Sequence, residues 1–143
     1  MGKTNWMRVF LGGLLASVVM FVLGWVTYTI YLFELWNSAL AALGHPMKAT
    51  AVGAVIPIVL TLAIGISAIW LYSAIGPRFG AGPKTAVIAG LAVWIMYILF
   101  FALNMAPYGL FPAKMLMIDA ITNLARLVVA TLIGAWVYRE PSQ

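Results

Sequence analysis

Residues 49–75 read ATAVGAVIPIVLTLAIGISAIWLYSAI, with no charged side chain among them. About 20 helical residues cover the ~30 Å hydrocarbon core of a bilayer, and this run is longer. In lipid each backbone N–H and C=O must find its partner within the segment, so the run reads as a transmembrane helix. A barrel strand would alternate polar and apolar residues, and this run does not.

Working outward, three more segments have the same character: residues 7–33, 85–104 and 113–137. Gly44, His45 and Pro46 break the chain after the first, with residues 34–43 read as a helical extension at the interface. Residues 76–84, GPRFGAGPK, are dense in Gly and Pro and are read as a turn. Residues 107–112, PYGLFP, separate the third span from the fourth. Connections this short join neighbours that run in opposite directions. The predicted fold is therefore all-α: one transmembrane domain, an antiparallel four-helix bundle, spans 7–33, 49–75, 85–104 and 113–137. Lys3 and Arg8 before an apolar run suggest a signal peptide, and Ala39, Leu40 and Ala41 suggest its cleavage site. The run far exceeds the ~7–15 apolar residues of a signal, so it is read as an uncleaved span.

Composition agrees. Of 143 residues, 65% are hydrophobic and 8% charged, against about half and a quarter in a soluble domain. The mean hydropathy is +1.08. A chain this short cannot hide that much apolar surface in one core, which excludes a soluble enzyme and a disordered chain. Eight Lys or Arg face three Asp or Glu, a net charge of +5. The basic residues are scattered and form no basic face, so no nucleic-acid partner is expected. Lys3, Arg8, Arg78, Lys84 and Arg139 fall on one side of the predicted membrane, and Lys48 and Lys114 on the other. Positive residues stay inside, so both termini are expected in the cytoplasm, in a multi-pass protein of the cell inner membrane. There is no cysteine, which removes disulfide, thiol and iron–sulfur chemistry. The single histidine, His45, excludes a bis-histidine haem within one chain. No metal or cofactor is expected.

The fourth span carries Asp119, Thr122, Asn123 and Arg126, which share one helix face. An Arg near the middle of a span costs at least ~2.5–3.5 kcal/mol, so it should face the bundle or a wet cavity. Asp119 is two turns away, and a relay through Asn123 or water suits that separation better than a direct bond. On the first span Gly13, Ser17, Met20, Gly24, Thr27, Tyr31, Glu34 and Ser38 recur at steps of three and four. The third offers Ala86, Gly90, Trp94, Tyr97 and Asn104. Where these faces meet, the outer half of the bundle should hold a polar cavity of Tyr31, Glu34, Asn104, Asp119, Asn123 and Arg126. The plainer reading is that such groups only glue helices together, at ~0.6 kcal/mol per bond.

The stretches FVLGWVTY (21–28) and LWNSALAALG (35–44), with IDA (118–120) and GAW (134–136) in the last span, resemble a group of small bacterial four-helix integral membrane proteins of unknown function. That resemblance implies a four-helix membrane fold and supplies no activity. Small multidrug exporters carry a Glu inside their first span, whereas Glu34 stands at a span end here, so that family is not assigned.

The sequence thus points to an integral membrane protein that binds or transports a small solute or lipid, as a homo-oligomer or within a larger complex. The alternative is a non-catalytic accessory or structural subunit of a membrane complex. An enzyme is not expected, because no nucleophile–base pair or metal set is visible.

Overall fold

A computed structural model describes residues 4–138. Lys3 and Arg139, two of the charges used to orient the chain, lie outside the described residues. Four helical spans are long and apolar enough to cross a membrane: Trp6–Ala42, Ala51–Phe79, Pro83–Tyr108 and Ala113–Val137. Among the described residues there is no strand.

The first span is α1 (Trp6–Thr27), a π turn (Tyr28–Leu32) and α2 (Phe33–Ala42) in unbroken succession. The second is α3 (Ala51–Phe79). The third is α4 (Pro83–Trp94), a second π turn (Ile95–Leu99), α5 (Phe100–Met105) and a 3₁₀ turn (Ala106–Tyr108). The fourth is α6 (Ala113–Val137).

Local chemistry sets the ends. The Asn5 side chain accepts from Arg8 N at 3.2 Å and starts α1. Thr50 accepts from Gly53 N at 3.0 Å and starts α3, so the second span begins at Ala51 and Thr50 is its cap. That helix runs on through Gly76 and Pro77 to Phe79, past the 75 expected from the sequence. Proline there removes one hydrogen bond near a helix end, where the loss is small. The true stop is Gly80 at φ 82°, whose N–H returns to Gly76 O at 2.8 Å. Pro83 opens α4, where its fixed φ and missing N–H cost nothing.

The tightly packed core occupies one half of the molecule. It gathers Val9, Ala16 and Met20 of α1, Ala68, Ile69 and Tyr72 of α3, Ala86, Ala89 and Val93 of α4, and Leu127, Ala130 and Ala135 of α6. Small residues dominate, because lipid removes the hydrophobic drive between helices and leaves close backbone approach to hold them. A Cβ on Gly13 would fall 2.7 Å from Ile66 Cα, and one on Gly65 2.8 Å from Gly13 O. Ser17 donates to Gly13 O at 2.7 Å, facing Thr61 O at 3.2 Å. Trp94 Nε1 donates to Ala120 O at 2.8 Å and ties α4 to α6.

The other half is open. Residues 51–60 of α3 are exposed without exception, and so are most residues from 95 to 110. Only Leu32 and Ala39 of the first span and Met115, Leu116 and Ala120 of α6 are buried there.

Candidate functional site

Arg126 stands where the packed half meets the open half. It is about 20 Å along α6 from Ala113 and about 17 Å from Val137, at 1.5 Å per residue. Its guanidinium crosses to α1. Nη2 donates to Met20 O at 2.9 Å, and Nη1 donates to Asn123 Oδ1 at 2.8 Å. Nε is buried and has no partner among the described residues.

Gly24 makes the crossing possible. In a helix the Met20 carbonyl faces the residue four positions on. A Cβ on Gly24 would lie 2.9 Å from Arg126 Cζ and closer still to Nη2. Small residues in a span ordinarily let a neighbouring backbone approach; over Gly24 the guanidinium takes that place.

Along α6 the polar groups continue away from Arg126. Asn123 Nδ2 donates to the main-chain oxygen of Asp119 at 2.9 Å. The carboxylate of Asp119 accepts from Trp36 Nε1 at 3.2 Å. The hydroxyls of Tyr31 and Thr122 are 2.5 Å apart. The expected relay from Arg126 through Asn123 therefore has its well-formed bond on the main-chain oxygen of Asp119, while the carboxylate acts on the guanidinium through its charge.

The six residues singled out in the sequence part company here. Arg126, Asn123, Asp119 and Tyr31 lie along the contact between the first span and α6, all half-buried. Glu34 and Asn104 are exposed and share none of these bonds. The π turns explain both departures. Phe33 N donates to Tyr28 O and Phe100 N to Ile95 O, each spanning five residues rather than four. Such a turn holds one extra residue and slips every later side chain around the helix. Tyr31 still meets α6 through Thr122, and beyond it the seam counted through Glu34 and Ser38 is carried by Trp36 and Ala39. The third-span seam counted through Tyr97 and Asn104 is carried instead by Ile98, Ala102 and Met105. Trp36 is the residue that sequence reasoning missed. No 3.6-residue count could find it, because the count itself changes at Tyr28.

Between α1 and α3 runs a groove. One section holds about 470 Å³ and is lined by Gly24, Tyr28, Pro57, Ile58 and Thr61, with Arg126 as its charged residue. The next holds about 320 Å³, shares Phe21, Ile58 and Thr61, and ends at Ser17 and Leu62. Of the six residues named from the sequence, Arg126 lines it. Met47, from the connection between α2 and α3, closes the far end. Its sulfur lies 3.8 Å from the Tyr28 hydroxyl, and its N–H donates to Asn37 Oδ1 at 3.1 Å. Among the described residues no group of His, Asp and Glu is arranged to hold a metal ion. Compared with protein-family models, with curated proteins and with solved structures, the chain finds no match.

Proposed function

We propose that this chain is a bacterial inner-membrane protein that binds a small amphipathic solute or lipid along the α1–α3 groove. The carrying observation is Arg126, a permanent cation at mid-span that lines an otherwise largely apolar groove. Its two hydrogen bonds go to neutral oxygens, Met20 O and Asn123 Oδ1. Arginine cannot lose its proton, and holding that charge in a span costs at least ~2.5–3.5 kcal/mol. A bundle that needed only glue would be served by Asn or Thr. The test is native mass spectrometry of the purified protein released from detergent. Wild type should retain a small amphiphile that Arg126→Gln loses; equal spectra would remove the reading. Instability of the isolated chain, with no adduct, would favour the accessory-subunit alternative. The same spectra report whether the chain is a homo-oligomer.

The proposed topology is an antiparallel bundle with both termini cytoplasmic. Opposed contact orders support it: Gly13 meets Ile66 while Ser17 faces Thr61, and Gly12 meets Gly134 while Met20 meets Arg126. A chain without cysteine makes the check direct. Cysteine at His45 should react with an impermeant maleimide on intact cells, and cysteine at Ala81 only after lysis. The reverse pattern would invert the topology.

A further inference from the structure

We propose that the groove takes a single-chain amphiphile with a carboxylate head, a free fatty acid, with the carboxylate on Arg126 and the chain laid between α1 and α3. The inference rests on the binding role above and names its ligand class.

Charge selects the head. The guanidinium has five N–H donors; one is held by Met20 O and one by Asn123 Oδ1, which leaves a second N–H on each of Nη1 and Nη2 for a ligand, Nε being buried. Carboxylate and guanidinium match in planarity and in paired bonds. Asp119, two turns along α6, attracts the guanidinium through space but makes no hydrogen bond to it; its carboxylate accepts from Trp36, so the guanidinium's remaining N–H groups stay open to a ligand carboxylate.

Depth selects one chain over two. A phospholipid head is held at the interface, whereas Arg126 is about 17–20 Å from either end of its helix. A fatty acid brings only one small ionisable group out of water, and it does so against a waiting cation. Shape agrees. From Gly24, where the Arg126 guanidinium lies, the groove follows α1 for about 12 Å to Leu32 and about 10 Å to Ser17, so one acyl chain fills a single arm and runs on into the bilayer. The groove tapers to the close contact of Gly65 with Ser17 and Gly13, and opens where residues 51–60 of α3 stand exposed. Phe21, Gly24 and Tyr28 give α1 an apolar, partly aromatic wall along it.

The experiment titrates sodium oleate, and separately methyl oleate, into the detergent-purified protein and counts adducts by native mass spectrometry. Wild type should bind one oleate per chain and hold methyl oleate about ten- to a hundredfold more weakly, the weight of a charged hydrogen bond. Arg126→Gln should lose the preference for oleate over its ester. Ile58→Trp fills the groove and keeps the Arg126 charge, and should weaken both ligands while the melting temperature stays near wild type. Equal binding of oleate and methyl oleate by wild type, or an unchanged preference in a folded Arg126→Gln protein, would overturn the proposal. If a neutral carbonyl lipid proves to be the amphiphile that depends on Arg126, the carboxylate assignment falls and the binding role stands. If neither variant changes any adduct, both fall.

Discussion

Replacing Gly134 with valine is expected to cost the bundle about 3 kcal/mol, at the upper end for overpacking. At this position α6 lies directly on α1. A Cβ on Gly134 would fall 2.6 Å from Gly12 O, 2.8 Å from Ile69 Cδ1 and 2.9 Å from Ala16 Cβ. The reverse holds too, since a Cβ on Gly12 would fall 2.8 Å from Gly134 O. A flexible side chain could turn aside, but a carbonyl inside a helix cannot move without its helix. The two backbones must therefore separate, and contacts along the whole α1–α6 interface weaken together. Gly76→Ala is the matched control. Nothing beyond its chain neighbours lies within 4 Å of a Cβ there, and helix propensity, worth up to about 1 kcal/mol, is set against the crowding of a Cβ that precedes Pro77, so the net change should be small. Thermal unfolding in detergent, followed by circular dichroism, distinguishes the two. Equal melting temperatures for both variants would show that α1 and α6 do not meet at this glycine pair.

The second expected result inverts an ordinary rule. Gly to Ala inside a helix gains about 0.5–1 kcal/mol. Gly24→Ala should instead lose about 2 kcal/mol, because the methyl group takes the guanidinium's place over Met20 O. A charge driven from its acceptor within the membrane is left with part of its desolvation cost unrecovered, about 1.5–3 kcal/mol for a charged bond. Arg126→Met removes the charge and its desolvation cost, and with them a favourable interaction with Asp119, so its own effect should be small. In that background Gly24→Ala should recover its usual gain. The coupling between the two positions should reach about 2.5–3 kcal/mol, at the upper end for residues in contact. A stabilising Gly24→Ala in the wild-type chain, or the same effect in both backgrounds, would show that Arg126 does not lie on Gly24.

Both results turn on something the sequence shows only in part. Gly13, Ser17, Met20 and Gly24 are legible as one helix face because α1 keeps a regular 3.6-residue turn as far as Thr27. Asn123 and Arg126 are legible as neighbours for the same reason, since α6 is regular throughout. The sequence pairs Arg126 with Asp119 as the nearest carboxylate on that face. The structure gives the guanidinium a backbone carbonyl on another helix, and no local spacing could name that acceptor.

The sequence alone specifies four apolar helices and where most of them break. Those properties are local: length against bilayer thickness, the absence of charge, and the backbone geometry of Gly and Pro. It also determined that Arg126 needs polar company, because the cost of a mid-span charge does not depend on which helix supplies the partner. Tertiary structure decided which residues supply it. Two π turns, at Tyr28–Leu32 and Ile95–Leu99, rotate the far halves of the first and third spans. They bring Trp36 to Asp119 and leave Glu34 and Asn104 exposed. Helical periodicity is read by counting forward, so one extra residue in a turn misplaces every later position. Whether a helix accepts that residue depends on how its two halves pack against its neighbours.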